Sequence, residues 1–318
     1  MPGLKPKISI IGCGNVGIRC AYALVIKGIV REIILVDLDR NRAEGEAMDL
    51  NHGAPYVRPV EIAAGDYPDI QGSDIVVITA GAKQKPGQSR TDLVKQNVAL
   101  YRKIIPEIME YSPGSVLLVV SNPVDILAYA AYKISGKPHR EVISSGTVLD
   151  SARLRFLLSR HCNVDARNIH AYILGEHGDS EFAVWSKAMI GGMYFKEYCP
   201  ICEKRDCCDR DNELNGIFSE VRDSAYKIIE KKGETSYGIG LALVKIIQSV
   251  VNDTRSILPV STLVEDYYGV NDVYMGLPSV VGSGGIKEVL KIGLDEEEQS
   301  LFKKSAGTLK KVIKDCGI

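Results

Sequence analysis

Residues 7–17, Lys7-Ile-Ser-Ile-Ile-Gly-Cys-Gly-Asn-Val-Gly17, decide the fold of this chain. An apolar strand pattern runs directly into Gly12-x-Gly14-x-x-Gly17, and an amphipathic helix pattern follows over 17–29. Gly12 allows the tight turn, Gly14 lets a phosphate group approach the backbone, and Gly17 lets helix and strand pack closely. The helix N-terminus adds oriented N–H groups and partial positive charge. With its strand and helix, the segment predicts a dinucleotide-binding unit; the alternative is a glycine turn that binds nothing.

A carboxylate follows the second predicted strand. Asp37 lies 20 residues after Gly17, where it would accept hydrogen bonds from the adenosine ribose. The same charge would repel a 2′-phosphate, so NAD is favoured over NADP as the cofactor. We also assign to the cofactor site Asn15, Val16, Ala80 and Gly81.

Short apolar strands alternate with longer amphipathic segments through the first half of the chain. The strands are predicted at 7–11, 32–36, 60–63, 75–79, 115–120 and 142–144. The helices are predicted at 17–29, 41–51, 91–111 and 123–135. Alternation of this kind, with nearly continuous Val/Ile runs, is typical of a parallel sheet covered on both faces. The fold class is therefore α/β, with a doubly wound parallel Rossmann sheet domain over 1–144.

Long helices and short strands are mixed in the second half. Helices are predicted at 150–160, 212–232, 236–252 and 296–315. Strands are predicted near 170–174, 256–264 and 273–281. The mixture predicts an α+β substrate domain over 145–318, packed on the sheet domain.

Composition limits the kinds of molecule that the protein is expected to bind. With 318 residues, 45% of them hydrophobic and 25% charged, the chain is long enough for two domains and a large core. A net charge of −1 gives no overall attraction to nucleic acid or an anionic membrane. The N-terminus lacks the apolar region of a signal peptide, and no stretch has the length and apolarity of a membrane span. We therefore expect a cytoplasmic protein that acts on a small molecule.

Four of the eight cysteines are clustered. Cys199-Pro-Ile-Cys202 precedes the adjacent pair Cys207 and Cys208, which suggests a zinc site. An adjacent pair cannot reproduce a second Cys-x-x-Cys, and the short spacing leaves little room for a tetrahedral site. We therefore expect no metal, reduced thiols, and a mobile charged loop that carries oxidisable sulfur.

A histidine between two glycines is the main candidate for proton transfer. His177 lies in Gly175-Glu-His-Gly-Asp-Ser180, and imidazole can take or give one proton near neutral pH. Hydride transfer to a carbonyl needs both a hydride donor and a proton donor, so the glycine motif and His177 together predict an oxidoreductase. The alternative class is a catalytically silent dinucleotide-binding protein, which would be expected to lack one of the reactive side chains.

From about Lys7 to Lys314 the chain resembles the L-lactate dehydrogenase family, within the lactate/malate dehydrogenase superfamily. The motifs that carry the resemblance are Gly12-x-Gly14-x-x-Gly17, Gln84-Lys-Pro-Gly-Gln-Ser-Arg90, Ser121-Asn-Pro-Val-Asp125, Leu149-Asp-Ser-Ala-Arg153 and Gly175-Glu-His-Gly-Asp179.

The resemblance implies a role for each of three polar residues. His177 would donate a proton to the carbonyl oxygen of pyruvate and accept it in the reverse direction. Asp150 would fix the ring tautomer and raise the histidine pKa. Arg153, three residues on and on the same helix face, would hold the substrate carboxylate with its planar fork. The alternative is that Asp150 and Arg153 form an ordinary surface pair.

The segment before Arg90 is rich in Gly, Pro and Gln, and can close as a lid that expels water. By the resemblance, Arg90 polarises the substrate carbonyl as negative charge develops on its oxygen. The alternative is that Arg90, with Lys83 and Lys85, is a solvated loop charge. Asn122 matches a residue that bonds the substrate or the nicotinamide ribose. Thr235 matches a wall of the substrate pocket, although it is also a good helix N-cap.

Gln84 distinguishes a monocarboxylate from a dicarboxylate substrate. Malate and oxaloacetate carry a second carboxylate, which would be costly to bury under a lid without a counter-charge. The malate enzymes place an arginine at the matching position, whereas this chain has a neutral glutamine. Pyruvate is therefore predicted over oxaloacetate, and longer 2-oxo acids stay possible at lower rates.

A regulatory site is a further expectation from the resemblance. Arg155 follows Arg153 by two residues, so on a helix it points about 200° away from it. Arg155 and His170 match the positions that bind fructose 1,6-bisphosphate in activated bacterial members, but similar residues occur in unregulated members. The resemblance also implies a homotetramer with effector sites across a two-fold axis.

Overall fold

The computed structural model describes residues 6–82, 90–195, 197 and 210–318. Several predicted features lie outside the described residues: Gln84 with Lys83 and Lys85, the side chain of Arg90, and Cys199, Cys202, Cys207 and Cys208.

Strands and helices alternate through the described part of the chain. The strands are β1 Lys7–Ile11, β2 Glu32–Val36, β3 Glu61–Ala64, β4 Ile75–Ile78, β5 Val116–Val119, β6 Val142–Ser144, β7 Ile169–His170, β8 Ile173–Leu174, β9 Phe182–Ala183, β10 Met189–Ile190, β11 Met193–Tyr194, β12 Ser256–Leu263, β13 Tyr274–Gly282 and β14 Gly285–Val289. The helices are α1 Asn15–Lys27, α2 Arg40–His52, α3 Arg90–Tyr111, α4 Val124–Ser135, α5 Val148–Cys162, α6 Arg210–Lys232, α7 Tyr237–Val251 and α8 Glu296–Cys316. The long predicted elements are present, with ends within two residues of the predicted ones.

Six parallel strands form the first-half sheet in the order β3-β2-β1-β4-β5-β6. Successive strand residues point to opposite faces, and both faces are apolar. Ile8, Ile10, Ile33 and Leu35 pack in a cluster with helices α1, α2 and α7. Ile34, Val36, Val76 and Ile78 pack in a second cluster with α3, α4 and α8. The predicted doubly covered parallel sheet, and with it the Rossmann fold class, is confirmed.

The sheet continues into the second half of the chain. Antiparallel strands β12, β13 and β14 extend it beyond β6, because β12 pairs with β6 where Ser261 lies opposite Ser144. The sequence predicts second-half strands, but not that they join the first-half sheet. Residues on both sides of position 144 are therefore linked by main-chain pairing as well as by packing.

The prediction of a single strand over 170–174 is wrong, because two strands are found there. The segment forms two strands in separate small sheets, β7 paired with β10 and β8 paired with β9. The break has a physical cause in helix α5. The Thr147 hydroxyl donates to the carbonyl of Ile173 (2.6 Å), and the N–H of Ile173 donates to Ser151 Oγ (2.9 Å). These bonds draw β8 toward α5 and away from the line of β7.

The carboxyl ends of the parallel strands meet at one edge of the sheet, where ligands of such folds bind. The glycine loop follows β1, residues 79–82 follow β4, and Asn122 follows β5. Strand β8 leads to His177 at the same edge. In the ranges that the structure describes, no helix is both long enough and apolar enough to cross a bilayer.

Candidate active site

A cleft of about 560 Å³ opens at the carboxyl edge of the sheet. Residues from both halves of the chain line it. The structure brings together in its wall six residues predicted from sequence: Val16, Asn122, Asp150, Arg153, His177 and Thr235. The first two lie in segments that follow first-half strands, and the other four come from the second half.

Two glycines of the loop after β1 are required by the backbone and by packing. Gly12 has a φ of +106°, which a side chain would strain, and its N–H donates to the carbonyl of Val36 (2.7 Å). Its carbonyl accepts from the Thr79 hydroxyl (2.6 Å). A Cβ on Gly17 would lie 2.1 Å from the carbonyl oxygen of Gly12, so only glycine lets α1 begin so close to the turn.

Gly14 is different, because a Cβ there would have no described atom within 4 Å. Gly14 is the N-cap of α1, and no side-chain hydrogen bond caps this end of the helix. The first turn, which begins with Asn15 and Val16, therefore has N–H groups without a side-chain cap and the partial positive charge of a helix N-terminus. The loop fits the pyrophosphate of a dinucleotide.

Asp37 accepts two main-chain hydrogen bonds, in addition to the ribose contact predicted from the sequence. Its carboxylate accepts from the N–H of Cys13 (2.6 Å) and the N–H of Asp39 (3.0 Å). Asp37 therefore ties the glycine loop to the end of β2. Each carboxylate oxygen keeps a free lone pair, so a ribose hydroxyl can still donate to it.

Asn97 joins two of the strand-end segments, and sequence reasoning missed it. This residue of α3 has no exposed surface. It accepts from the N–H of Ala82 (2.7 Å) and donates to the carbonyl of Asn122 (3.1 Å). Ala80 and Gly81 lie beside this bridge, at the end of β4. The ends of β4 and β5 are thus fixed relative to each other, next to the glycine loop.

Asp150 joins the histidine to the arginine. Asp150 Oδ2 lies 2.6 Å from His177 Nδ1, and Arg153 Nη1 donates to Asp150 Oδ1 at 2.7 Å. Asp150 is only 2% exposed, which contradicts the alternative of an ordinary surface pair. Because Nδ1 is held by the carboxylate, the Nε2 atom of His177 is the one left to exchange a proton in the cleft.

The charges of this cluster change the proton affinity of its members. The Asp150 carboxylate raises the pKa of His177 to about 9, against the lowering effect of burial. Burial alone would raise the pKa of Asp150, but the charges and hydrogen bonds of His177 and Arg153 bring it below its ordinary value. The Asp150 carboxylate therefore favours the protonated form of the imidazole.

Two further contacts hold the His177 loop, and both were missed. The N–H of His177 donates to the buried carboxylate of Asp125 on α4 (2.8 Å). Burial raises the pKa of Asp125 to about 6, although the bond from His177 opposes this rise. The N–H of Glu176 donates to Ser305 Oγ on α8 (2.8 Å). Asp125 stands inside a motif that carries the family resemblance; no local pattern indicates Ser305.

Glu181, four residues after His177, is another buried acid in the cleft wall. Burial, with the nearby charge of Asp150, raises the pKa of Glu181 to about 9. Ligand atoms of Asp150, His177 and Glu181 all lie within 4.8 Å of one another, a spacing that could hold a metal ion. Both oxygens of Asp150 already have a partner, His177 on one and Arg153 on the other. The absence of a metal cofactor stays a prediction.

Three predicted residues have no contact with the His177–Asp150–Arg153 cluster among the hydrogen bonds of the described residues: Thr235, Arg155 and His170. Thr235 is in the cleft wall, but the N-cap of α7 is Ser236, so the alternative of Thr235 as that N-cap is wrong. Arg155 is outside the cleft wall as far as the structure describes it; its Nε donates to the carbonyl of Ser151 (3.3 Å). Burial lowers the pKa of Arg155, and His170 is exposed on β7.

Val16, which follows the glycine loop, and the histidine paired with Asp150 therefore line one cleft, an arrangement typical of dinucleotide-dependent oxidoreductases. Two family models match the chain. Residues 6–144 match the lactate/malate dehydrogenase NAD-binding domain, and residues 147–317 match the lactate/malate dehydrogenase alpha/beta C-terminal domain. The chain belongs to the lactate/malate dehydrogenase family, and its cofactor is NAD.

Similar proteins are found over the whole length. The chain is 50% identical over 312 residues to an L-lactate dehydrogenase of Acetivibrio thermocellus, covering 98% of each chain. It is 50% identical to L-lactate dehydrogenase 1 of Clostridium acetobutylicum, covering 96% of this chain and 97% of that one. Among solved structures, MGS-M5, a lactate dehydrogenase from a Medee basin deep-sea metagenome library, matches with a TM-score of 0.93, 45% identity and 99% coverage of both chains.

Proposed function

We propose that this chain is an L-lactate dehydrogenase that interconverts pyruvate and L-lactate. The observation that carries the proposal is the cleft in which Asp150 holds His177 at Nδ1 and Arg153 at Nη1, beside the NAD loop. That arrangement supplies one proton and one fixed positive charge, which a 2-oxo monocarboxylate requires. The names of the similar proteins support the same substrate.

The proposed roles follow from the positions of the side chains. Arg153 uses one N–H on Asp150, and the rest of its guanidinium can hold the substrate carboxylate. His177 gives its Nε2 proton to the carbonyl oxygen, and Asp150 stabilises the imidazolium before the transfer. NADH, when bound, supplies the hydride that adds to the carbonyl carbon. For Arg90 we keep the role of polarising the carbonyl, on the strength of the family resemblance.

Steady-state NADH oxidation tests this proposal. Pyruvate, oxaloacetate and 2-oxobutyrate are compared, and we expect pyruvate to have the highest kcat/KM. His177→Gln should reduce turnover by about 10²–10⁴-fold, the usual contribution of a general acid. His52→Gln is the matched control, because His52 is exposed on α2. A His177 variant with wild-type turnover contradicts the proposal, and NADH binding without turnover on any of the three acids supports a silent binding protein.

The choice of pyruvate over oxaloacetate rests on Gln84. A neutral side chain leaves the second carboxylate of oxaloacetate without a counter-charge under the lid. Gln84→Arg should therefore move the ratio of kcat/KM values toward oxaloacetate by at least about tenfold. A smaller change would show that another position selects the substrate.

Regulation and assembly are part of the same proposal. We propose that Arg155 and His170 contribute to a fructose 1,6-bisphosphate site in a homotetramer, and that the effector lowers the pyruvate KM or stabilises the tetramer. Pyruvate kinetics unchanged up to millimolar effector would remove the allosteric site. Sedimentation of the purified protein tests the tetramer, and cell fractionation tests the cytoplasmic location.

A further inference from the structure

Glu181 is placed to affect substrate binding although the reaction described above does not use it. It is 7% exposed in the cleft wall, and a carboxylate oxygen lies within 4.8 Å of ligand atoms of His177 and Asp150. Its N–H donates to the carbonyl of Gly178 (3.1 Å), so its main chain turns together with the His177 loop. A buried carboxyl group so close to the reacting imidazole acts on its charge balance.

The charges around Glu181 can be counted from the described residues. Asp150 and Arg153 face it from α5, His177 from its own loop, and Arg222 from α6. Asp150 pairs with Arg153, and the exposed Arg222 has its Nε atom 3.8 Å from Asp223 Oδ1, so among the groups that face Glu181 a protonated His177 leaves one net positive charge for a keto acid. The Asp125 carboxylate contacts the main-chain N–H of His177 instead. An ionised Glu181 would cancel that charge, and the substrate carboxylate would enter a buried site that already holds two carboxylates.

We propose that Glu181 is a specificity-determining residue for anionic substrate: its neutral carboxyl group fills the space beside His177, and its ionisation closes the site to keto acids. The inference rests on the proposed function. Burial and the Asp150 charge raise the pKa of Glu181 to about 9, while His177, Arg153 and Arg222 favour its ionised form. Substrate binding therefore requires two protons in the cleft, one on His177 and one on Glu181.

The requirement predicts a steep alkaline limb. For the wild type, log kcat/KM for pyruvate should fall with a slope approaching −2 above about pH 9, because two protons are lost. Glu181→Gln keeps the size of the side chain without a titrating proton, so its slope should be −1. The ratio of kcat/KM at pH 8 to that at pH 10 should then be about tenfold smaller in the variant.

Glu181→Met is a second variant, for use if the glutamine variant does not fold; the melting temperature of each is measured first. Glu220→Gln is the matched control, since Glu220 is exposed on α6, and it should keep the slope of −2. A slope of −1 in the wild type, or a slope of −2 in both Glu181 variants, overturns the inference.

A readout independent of turnover separates this inference from the proposed function. In ¹⁵N-histidine NMR, the wild-type His177 titration should be broadened or biphasic because Glu181 ionises beside it. In Glu181→Gln it should be a single step. If the wild type does not turn over pyruvate, the proposed function fails, but this titration still decides whether the ionisation of Glu181 is coupled to that of His177. Identical His177 titrations in the wild type and in Glu181→Gln overturn the inference.

Discussion

Asp150→Asn isolates the electrostatic part of the proposed proton transfer. The substitution removes one negative charge and keeps the shape of the side chain. Both oxygens of Asp150 are in use, Oδ2 at 2.6 Å from His177 Nδ1 and Oδ1 at 2.7 Å from Arg153 Nη1. The consequences for His177 can therefore be worked out from charge and from hydrogen bonding separately.

The charge effect follows from the pKa of His177. It is raised from 6.5 to about 9, with the Asp150 carboxylate as the largest cause and Glu181 and Asp125 as lesser ones. This shift corresponds to about 3 kcal/mol in favour of the protonated ring. Without the carboxylate, burial still opposes protonation, and we expect the pKa to return to about 6.5. At pH 8 the protonated fraction would drop by about 30-fold. Pyruvate reduction, which needs the protonated ring, should lose at least that factor at pH 8, and its alkaline limb should move to lower pH.

The hydrogen-bonding effect adds to the charge effect in the reverse reaction. Arg153 can only donate, so in Asp150→Asn the new amide oxygen would stay toward Arg153 and the new NH₂ group would face Nδ1 of His177. The neutral ring would then carry its proton on Nε2 and could not accept one from lactate. Lactate oxidation should therefore fall further, by about 10²–10⁴-fold in total, and should not recover at high pH.

The assay is the pH profile of kcat/KM in both directions, with NADH affinity measured by fluorescence. Asp165→Asn is the control, because it also removes a carboxylate paired with an arginine, but from an exposed position. An alkaline limb of pyruvate reduction at the wild-type pH in Asp150→Asn would refute the assignment of one proton of that limb to His177 held by Asp150.

Three further predictions concern the loops around the cleft. Gly17→Ala should lower both the melting temperature and the NADH affinity, because its Cβ would overlap the Gly12 carbonyl. Gly14→Ala should keep the melting temperature and weaken NADH binding by about tenfold or more. Calorimetry and fluorescence titration will distinguish the two results. Asp37→Ser should weaken NADH binding by about tenfold and lower the ratio of the NADPH dissociation constant to the NADH dissociation constant by a similar factor. An unchanged ratio in titrations with both cofactors would contradict this prediction. Asp125→Ala should lower kcat by about tenfold or more, because the N–H of His177 loses its acceptor. Asp125→Asn should retain most of kcat, because the amide oxygen still accepts that hydrogen bond. Equal kcat values for the two variants would contradict this reasoning.

Local periodicity was sufficient to predict the parallel half of the fold. Strands such as Ile75–Ile78 are short apolar runs between polar turns, and helices such as Glu296–Cys316 have an apolar face. The glycine pattern after β1 adds a backbone requirement, which the φ of Gly12 confirms. These signals lie within a few residues of one another, so one sequence suffices to find them.

Long-range contacts could not be predicted in the same way. The pairing of Ser261 with Ser144 joins residues 117 positions apart in the numbering, and nothing in either segment specifies the other. Glu181 illustrates the same limit for chemistry. A glutamate in a loop is usually exposed and charged, and only the packing of α5 and α6 around it shows that it is buried.

The His177 loop is held by contacts from several elements, and this determines how the site should respond to mutation. Asp150 of α5 holds the ring, Asp125 of α4 holds the N–H of His177, and Ser305 of α8 holds the preceding residue. Each partner belongs to a different helix, so loss of one contact leaves the loop attached at the other two. Single substitutions at these partners should therefore change the position and pKa of the imidazole more than they change the global fold. In the proposed mechanism, Nε2 must lie within hydrogen-bonding distance of the carbonyl oxygen. Activity should therefore fall well before cooperative unfolding is affected.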